Sequence, residues 1–215
     1  MTSDAPQSAS SMRWLALGDS YTIGEGVEVS DRWPHQVADR LRADSLEPKV
    51  GASQLTTPEI IAVTGWTTDE LAAGIASASP TGPYDVVTLL IGVNDQYRER
   101  AVADYREPFR SLLSQAIDFA GSDPSRVVVV SIPDWGVMPF AEGRDRAEIA
   151  RQLDQYNALA KEEAERTGAA WVDITPLSRT QGELTAPDGL HPSGEAYRAW
   201  ADLITPAVHA VLTRQ

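Results

Sequence analysis

The chain contains no cysteine. That absence removes disulfides, thiolate metal sites and a cysteine nucleophile together. Histidine is scarce, with three residues in 215, so any imidazole chemistry rests on His35, His191 or His209. No apolar run reaches the ~20 residues that a membrane-spanning helix requires. Positive charge is short as well: 18 Lys and Arg stand against 31 Asp and Glu, a formal charge of −13. Such a surface repels polyanions, which argues against nucleic acid and anionic membranes as partners; its ordinary role is solubility. Met1 to Ser11 are polar and lack the hydrophobic core of a signal peptide. The expectation is a flexible tail over 1–11, a single domain over 12–215, and a cytoplasmic location.

What is present is an ordinary globular composition, 42% hydrophobic and 23% charged. Five short aliphatic runs read as buried strands: Trp14–Leu17, Ile60–Thr64, Val86–Ile91, Val127–Ile132 and Ala170–Ile174. Helical spacing lies between and after them. Val102, Tyr105, Phe109, Leu112 and Ala116 step by three and four, as do Ile149, Leu153, Tyr156 and Ala160, and then Trp200, Leu203, Ala207 and Val211. Pro108 marks either the start of the first of these helices or a kink in it. Strands alternating with helices imply right-handed crossovers and a parallel sheet covered on both faces. A ligand site in such a sheet lies beyond the carboxyl ends of the strands.

Four polar motifs follow those strand ends or the last loop. Leu17-Gly18-Asp19-Ser20-Tyr21 places a serine after the first strand. Alone, Ser20 reads as a helix cap or turn residue; with a base beside it, it is a nucleophile. Asp188-Gly189-Leu190-His191-Pro192 supplies such a base. An acid three residues before a histidine can curl onto one ring nitrogen, fixing the tautomer and leaving the other nitrogen free. His35 and His209 read as surface or packing residues. Gly92-Val93-Asn94-Asp95 offers a side-chain amide, either an oxyanion donor or a common turn. Thr64-Gly65-Trp66-Thr67 offers a backbone N–H at Gly65, or only a turn glycine.

Gly18-Asp19-Ser20-Tyr21, Gly65, Gly92-x-Asn94-Asp95 and Asp188-x-x-His191-Pro192 together resemble the ordered blocks of the SGNH (GDSL-type) hydrolases, over Met12 to about Leu212. The resemblance implies an α/β, flavodoxin-like domain with a five-stranded parallel sheet between two helical layers. It implies ester or thioester hydrolysis by Ser20, Asp188 and His191, with no metal or organic cofactor. It also implies an oxyanion hole made by the Ser20 N–H, the Gly65 N–H and the Asn94 side chain. Two departures stand out: Tyr21 occupies the position of the family's leucine, and Thr64 and Trp66 flank Gly65 where asparagine and small residues are usual.

Around these positions several readings stay open. Asp19 and Asp95 either orient the site or sit as solvated turn acids. Trp66 walls the pocket or packs in the core; Trp135 and Phe140, in the loop after the fourth strand, contact an acyl group or pack on a neighbouring helix. The leading substrates are short-chain or carbohydrate-linked acyl esters, small molecules rather than nucleic acid or an inserted membrane. A thioesterase or lysophospholipase is the alternative within the family, and a noncatalytic flavodoxin-like binding module the alternative outside it.

Overall fold

The protein is described from a computed structural model, which covers residues 11–44 and 54–214. The tail expected over 1–11 lies outside the described residues except for Ser11. That residue opens a short strand, β1 (Ser11–Met12), followed by β2 (Trp14–Gly18), helical turn α1 (Ser20–Ile23) and helix α2 (Trp33–Asp44). Next come β3 (Gln54–Leu55), β4 (Glu59–Ala62), α3 (Thr68–Ala78), β5 (Val86–Leu90), α4 (Val93–Tyr97) and α5 (Val102–Phe119). The remainder is β6 (Val127–Val130), α6 (Arg146–Thr167), β7 (Ala170–Val172), α7 (Thr175–Ser178) and α8 (Gly194–Thr213), with four single 3₁₀ turns between elements.

Five strands form one all-parallel sheet in the order β4-β2-β5-β6-β7. Its centre is buried on both faces: every residue of β2, β5 and β6 is enclosed, as expected where helices cover each side. Helix α2 packs along α8 on one face, while α3, α5 and α6 pack side by side on the other. This is the single α/β domain that the alternating pattern implies. β1 and β3 pair separately as a short parallel ribbon, which the sequence pattern does not announce.

The chain runs from β2 outward to β4 and then back past β2 to β5. The order reverses at β2, and the loops after β2 and β5 diverge there to leave a crevice. Four expected strands end early, at Ala62, Leu90, Val130 and Val172. Beyond Ala62, for instance, Val63 is 46% exposed and the chain turns. α5 continues through Pro108, which is therefore not a helix start. The buried face of α8 is Tyr197, Trp200, Ala201, Ile204, Val208 and Val211, so Leu203 points outward, 44% exposed. The face reaches Leu203's neighbours instead because α8 packs on both α2 and the sheet, which widens the buried stripe to one side.

Candidate active site

Ser20 sits where β2 passes into α1. Gly18 makes this junction possible: a Cβ there would lie 2.6 Å from the Leu90 carbonyl oxygen and collide with Thr22. Asp19 caps α1, its Oδ1 accepting from the Tyr21 N–H at 3.1 Å. The Ser20 N–H belongs to the first turn, where no intrahelical acceptor exists. Asp19 is fully buried and its Oδ2 has no partner. Burial pushes its carboxyl up to about 8, against the Tyr21 N–H bond, and the nearby charge of Asp95 adds to the rise. It is no solvated turn acid.

The Asp188–His191 loop closes as a tight local unit. Asp188 Oδ1 accepts from the backbone N–H groups of Leu190 and His191, each at 2.9 Å. Its Oδ2 meets His191 Nδ1 at 2.5 Å. Burial works to raise the Asp188 carboxyl, but the His191 ring and the two backbone donors outweigh it and hold it below the usual range. With Nδ1 committed to the carboxylate, Nε2 is the nitrogen left to act. The Tyr21 ring stands edge-on to the imidazole, 5.9 Å between centroids.

Asn94 lies on α4, just beyond β5. One amide hydrogen is used at the Trp66 carbonyl, 2.9 Å away; a carboxamide has a second to give. Asp95, beside it, is buried, accepting from the Thr68 N–H at 3.0 Å and the Thr68 hydroxyl at 2.8 Å. Burial raises its carboxyl, opposed by those Thr68 bonds and by Arg100. Gly65 occupies the third position of a turn closed by Trp66 N–H to Val63 C=O at 3.2 Å. Its φ of +86° is the value that type II turns reserve for glycine there.

A cavity of about 180 Å³ collects these elements: Ser20, Asn94 and His191 line it, together with the apolar walls Tyr97, Trp135, Phe140 and Leu190. Trp135 is buried, its indole N–H held by Gln96 at 2.8 Å, whereas Phe140 is 40% exposed at the rim. Neither Gly65 nor Trp66 is among the lining residues. The Trp66 ring instead packs over Gly74 of α3, where any Cβ would collide with it; of its two readings, packing is the one the structure adopts. A larger hollow of about 650 Å³ lies on the far side of Tyr97 and Trp135, lined chiefly by Arg, Glu and Gln side chains. It contains neither Ser20 nor His191.

Sequence reasoning missed Tyr97. Its signal was present: three residues beyond Asn94 on a helix is the same face. It also missed α3, although Thr67 and Glu70 form a reciprocal cap there, a pattern legible as T-x-x-E before an apolar run. Among the described residues, no three His, Asp or Glu side chains gather as a metal would need, and no helix is long and apolar enough to cross a membrane.

The profile of the GDSL-like lipase/acylhydrolase family matches residues 16–199. Among solved structures, TesA superposes with a TM-score of 0.71 at 20% identity, covering 94% of this chain and 100% of its own. The lipase/acylhydrolase from Enterococcus faecalis gives 0.67 at 23% identity, covering 95% and 99%. Axe2, an acetylxylan esterase from Geobacillus stearothermophilus, gives 0.65 at 19% identity, covering 97% and 98%. Among curated proteins none matches the chain.

Proposed function

Because the chain belongs to the GDSL-like lipase/acylhydrolase family, we propose that it hydrolyses short-chain or carbohydrate-linked acyl esters through an acyl-enzyme on Ser20. The observation that carries this reading is the Asp188–His191 bond at 2.5 Å in a loop whose imidazole shares one cavity with Ser20 and Asn94. Ser20 Oγ attacks the ester carbonyl while His191 Nε2 takes its proton. The carbonyl oxygen becomes an oxyanion, met by the Ser20 N–H, the second amide hydrogen of Asn94 and the Gly65 N–H. Collapse breaks the C–O bond to the alcohol, which leaves with the proton from His191. Water then attacks the acyl-enzyme, again giving its proton to His191, and the free acid departs as that proton returns to Ser20.

The cavity supports the short-chain assignment. At about 180 Å³ it is small, which favours an acyl group of a few carbons. Acetylated sugars belong on the test panel because one similar fold is described as an acetylxylan esterase.

The test is a panel of acyl esters, thioesters and acetylated sugars, assayed with wild type and Ser20→Ala. Ser20→Ala is expected to lower kcat by on the order of 10⁴-fold or more while remaining folded, and a fluorophosphonate is expected to label wild type alone. Equal turnover by the two proteins overturns the mechanism. Absence of both turnover and labelling in wild type favours a noncatalytic binding module, and preference for thioesters or for chains of a dozen carbons favours the thioesterase or lysophospholipase reading.

A further inference from the structure

The turn bearing Gly65 is gripped by the segment bearing Asn94. Asn94 Nδ2 holds the Trp66 carbonyl, and Asp95 holds the N–H and hydroxyl of Thr68. One helical turn after Asn94, Arg98 Nη2 donates to the Gly65 carbonyl at 2.7 Å. The Arg98 guanidinium is itself aimed by Glu70, 3.1 Å away, and Glu70 is anchored by accepting from the Thr67 N–H at 2.9 Å. Arg100 braces the same face, joining buried Asp95 at 3.0 Å to Asp69 at 2.5 Å. Three positions in and just after the turn, Gly65, Trp66 and Thr68, are thus tied to residues 94–98.

We propose that Arg98 is a positioning residue for the oxyanion hole, holding by the Gly65 carbonyl the turn that carries the Gly65 N–H. The proposal rests on the esterase reading given above. Its physical basis is the looseness that the turn has otherwise. Gly65 has no side chain, the widest backbone freedom of any residue, and open space where a Cβ would be. The turn is closed by one backbone bond of 3.2 Å, and before Gly65 the Thr64 hydroxyl donates to Glu25, which leaves the Gly65 carbonyl side to Arg98. Arg98 and Asn94 fix the carbonyls of Gly65 and Trp66, and therefore the two peptide planes that follow the Gly65 N–H. Its direction is then governed by the φ and ψ torsions of Gly65 itself. Asn94 and Asp95 act one and three residues further along, so neither substitutes for the Arg98 contact. A donor fixed before the reaction needs no reorganisation as charge develops, which is the source of its value.

Losing a whole oxyanion donor costs roughly 10²–10³ in kcat; loosening one costs a part of that. Arg98→Ala is expected to lower kcat about 10-fold with KM changed less than twofold, because the donor acts once the oxyanion forms. Arg98→Lys is expected to recover part of the loss, and free guanidinium to restore part of the activity of Arg98→Ala without stimulating wild type. Since the Arg98 side chain is 45% exposed, melting of both variants should stay near that of wild type; if Arg98→Ala does not fold, Arg98→Lys with the same kcat-against-KM comparison decides. Unchanged kcat, or a change in KM alone, overturns the proposal. If Ser20→Ala is inactive while Arg98→Ala is normal, only the clamp fails. If Ser20→Ala stays active, the esterase reading itself fails.

Discussion

Asp188→Asn isolates the role of the carboxylate with little change in shape. In the native loop one oxygen of Asp188 accepts two backbone N–H bonds at 2.9 Å, and the other meets His191 Nδ1 at 2.5 Å. Asparagine keeps an oxygen for the two backbone donors, so the loop should close as before. The second oxygen becomes an NH₂, a donor only. To accept from it, His191 must carry its proton on Nε2, the nitrogen that has to receive the Ser20 proton. The imidazolium formed during attack also loses its carboxylate. The expected cost in kcat is about 10⁴-fold, the magnitude seen when a triad carboxylate is replaced so that the tautomer reverses. Thermal melting should shift little, and labelling by a fluorophosphonate should slow in parallel with turnover. The assay is steady-state kinetics on a short acyl ester from neutral to alkaline pH. A loss below ~10-fold with melting unchanged would show that Asp188 does not set the His191 tautomer, and would refute the reasoning.

Asp19→Asn should gain stability relative to wild type near neutral pH, because the buried carboxyl is pushed up to about 8. A raised acid pKa makes wild type lose stability as pH climbs from the unfolded value near 4 to about 8, by at most ~1.4 kcal/mol per unit; the melting gap between the proteins should widen over that window and then level off, and a constant gap would contradict it. Glu163, enclosed between α5 and α6, is bonded by Arg110, Arg166 and Arg106, which hold its carboxyl at about 2 despite burial. Glu163→Gln should cost roughly 2 kcal/mol near neutral pH, the scale of hydrogen bonds to a charged group. Because the folded value is depressed, the wild-type advantage should fade as pH drops from about 4.5 towards 2, as denaturant melts across that range would reveal. With each buried CH₂ contributing about 0.8 kcal/mol, kcat/KM should peak at acyl groups of roughly two to six carbons. Phe140→Ala at the cavity rim should shift that preference and leave labelling of Ser20 by a small phosphonate unchanged.

The residues whose role depends on near neighbours were legible in the sequence. Asp188 and His191 meet because three residues suffice to curl a carboxylate back onto a ring and its backbone N–H. Ser20 stands at a strand end because Trp14–Gly18 is a continuous buried run and Gly18 lets α1 begin at once. The five strands and the helices at 102–119, 146–167 and 194–213 follow from hydrophobic periodicity, which is a local property. What crosses long sequence distances was not legible. Strand order, and with it the crevice beside β2, follows from which helices cover which face. Leu203 has the same spacing as buried residues of α8, yet packing against α2 and the sheet turned it outward. Trp66 is an aromatic beside a site glycine, and only the proximity of Gly74 on α3 draws its ring away from the cavity. Arg98 is one of many arginines in the sequence, most of them offset by nearby acids. Its hold on the Gly65 carbonyl, across 33 positions, arises from the parallel pairing of β4 and β5 to either side of β2, which brings their following loops together at one end of the sheet.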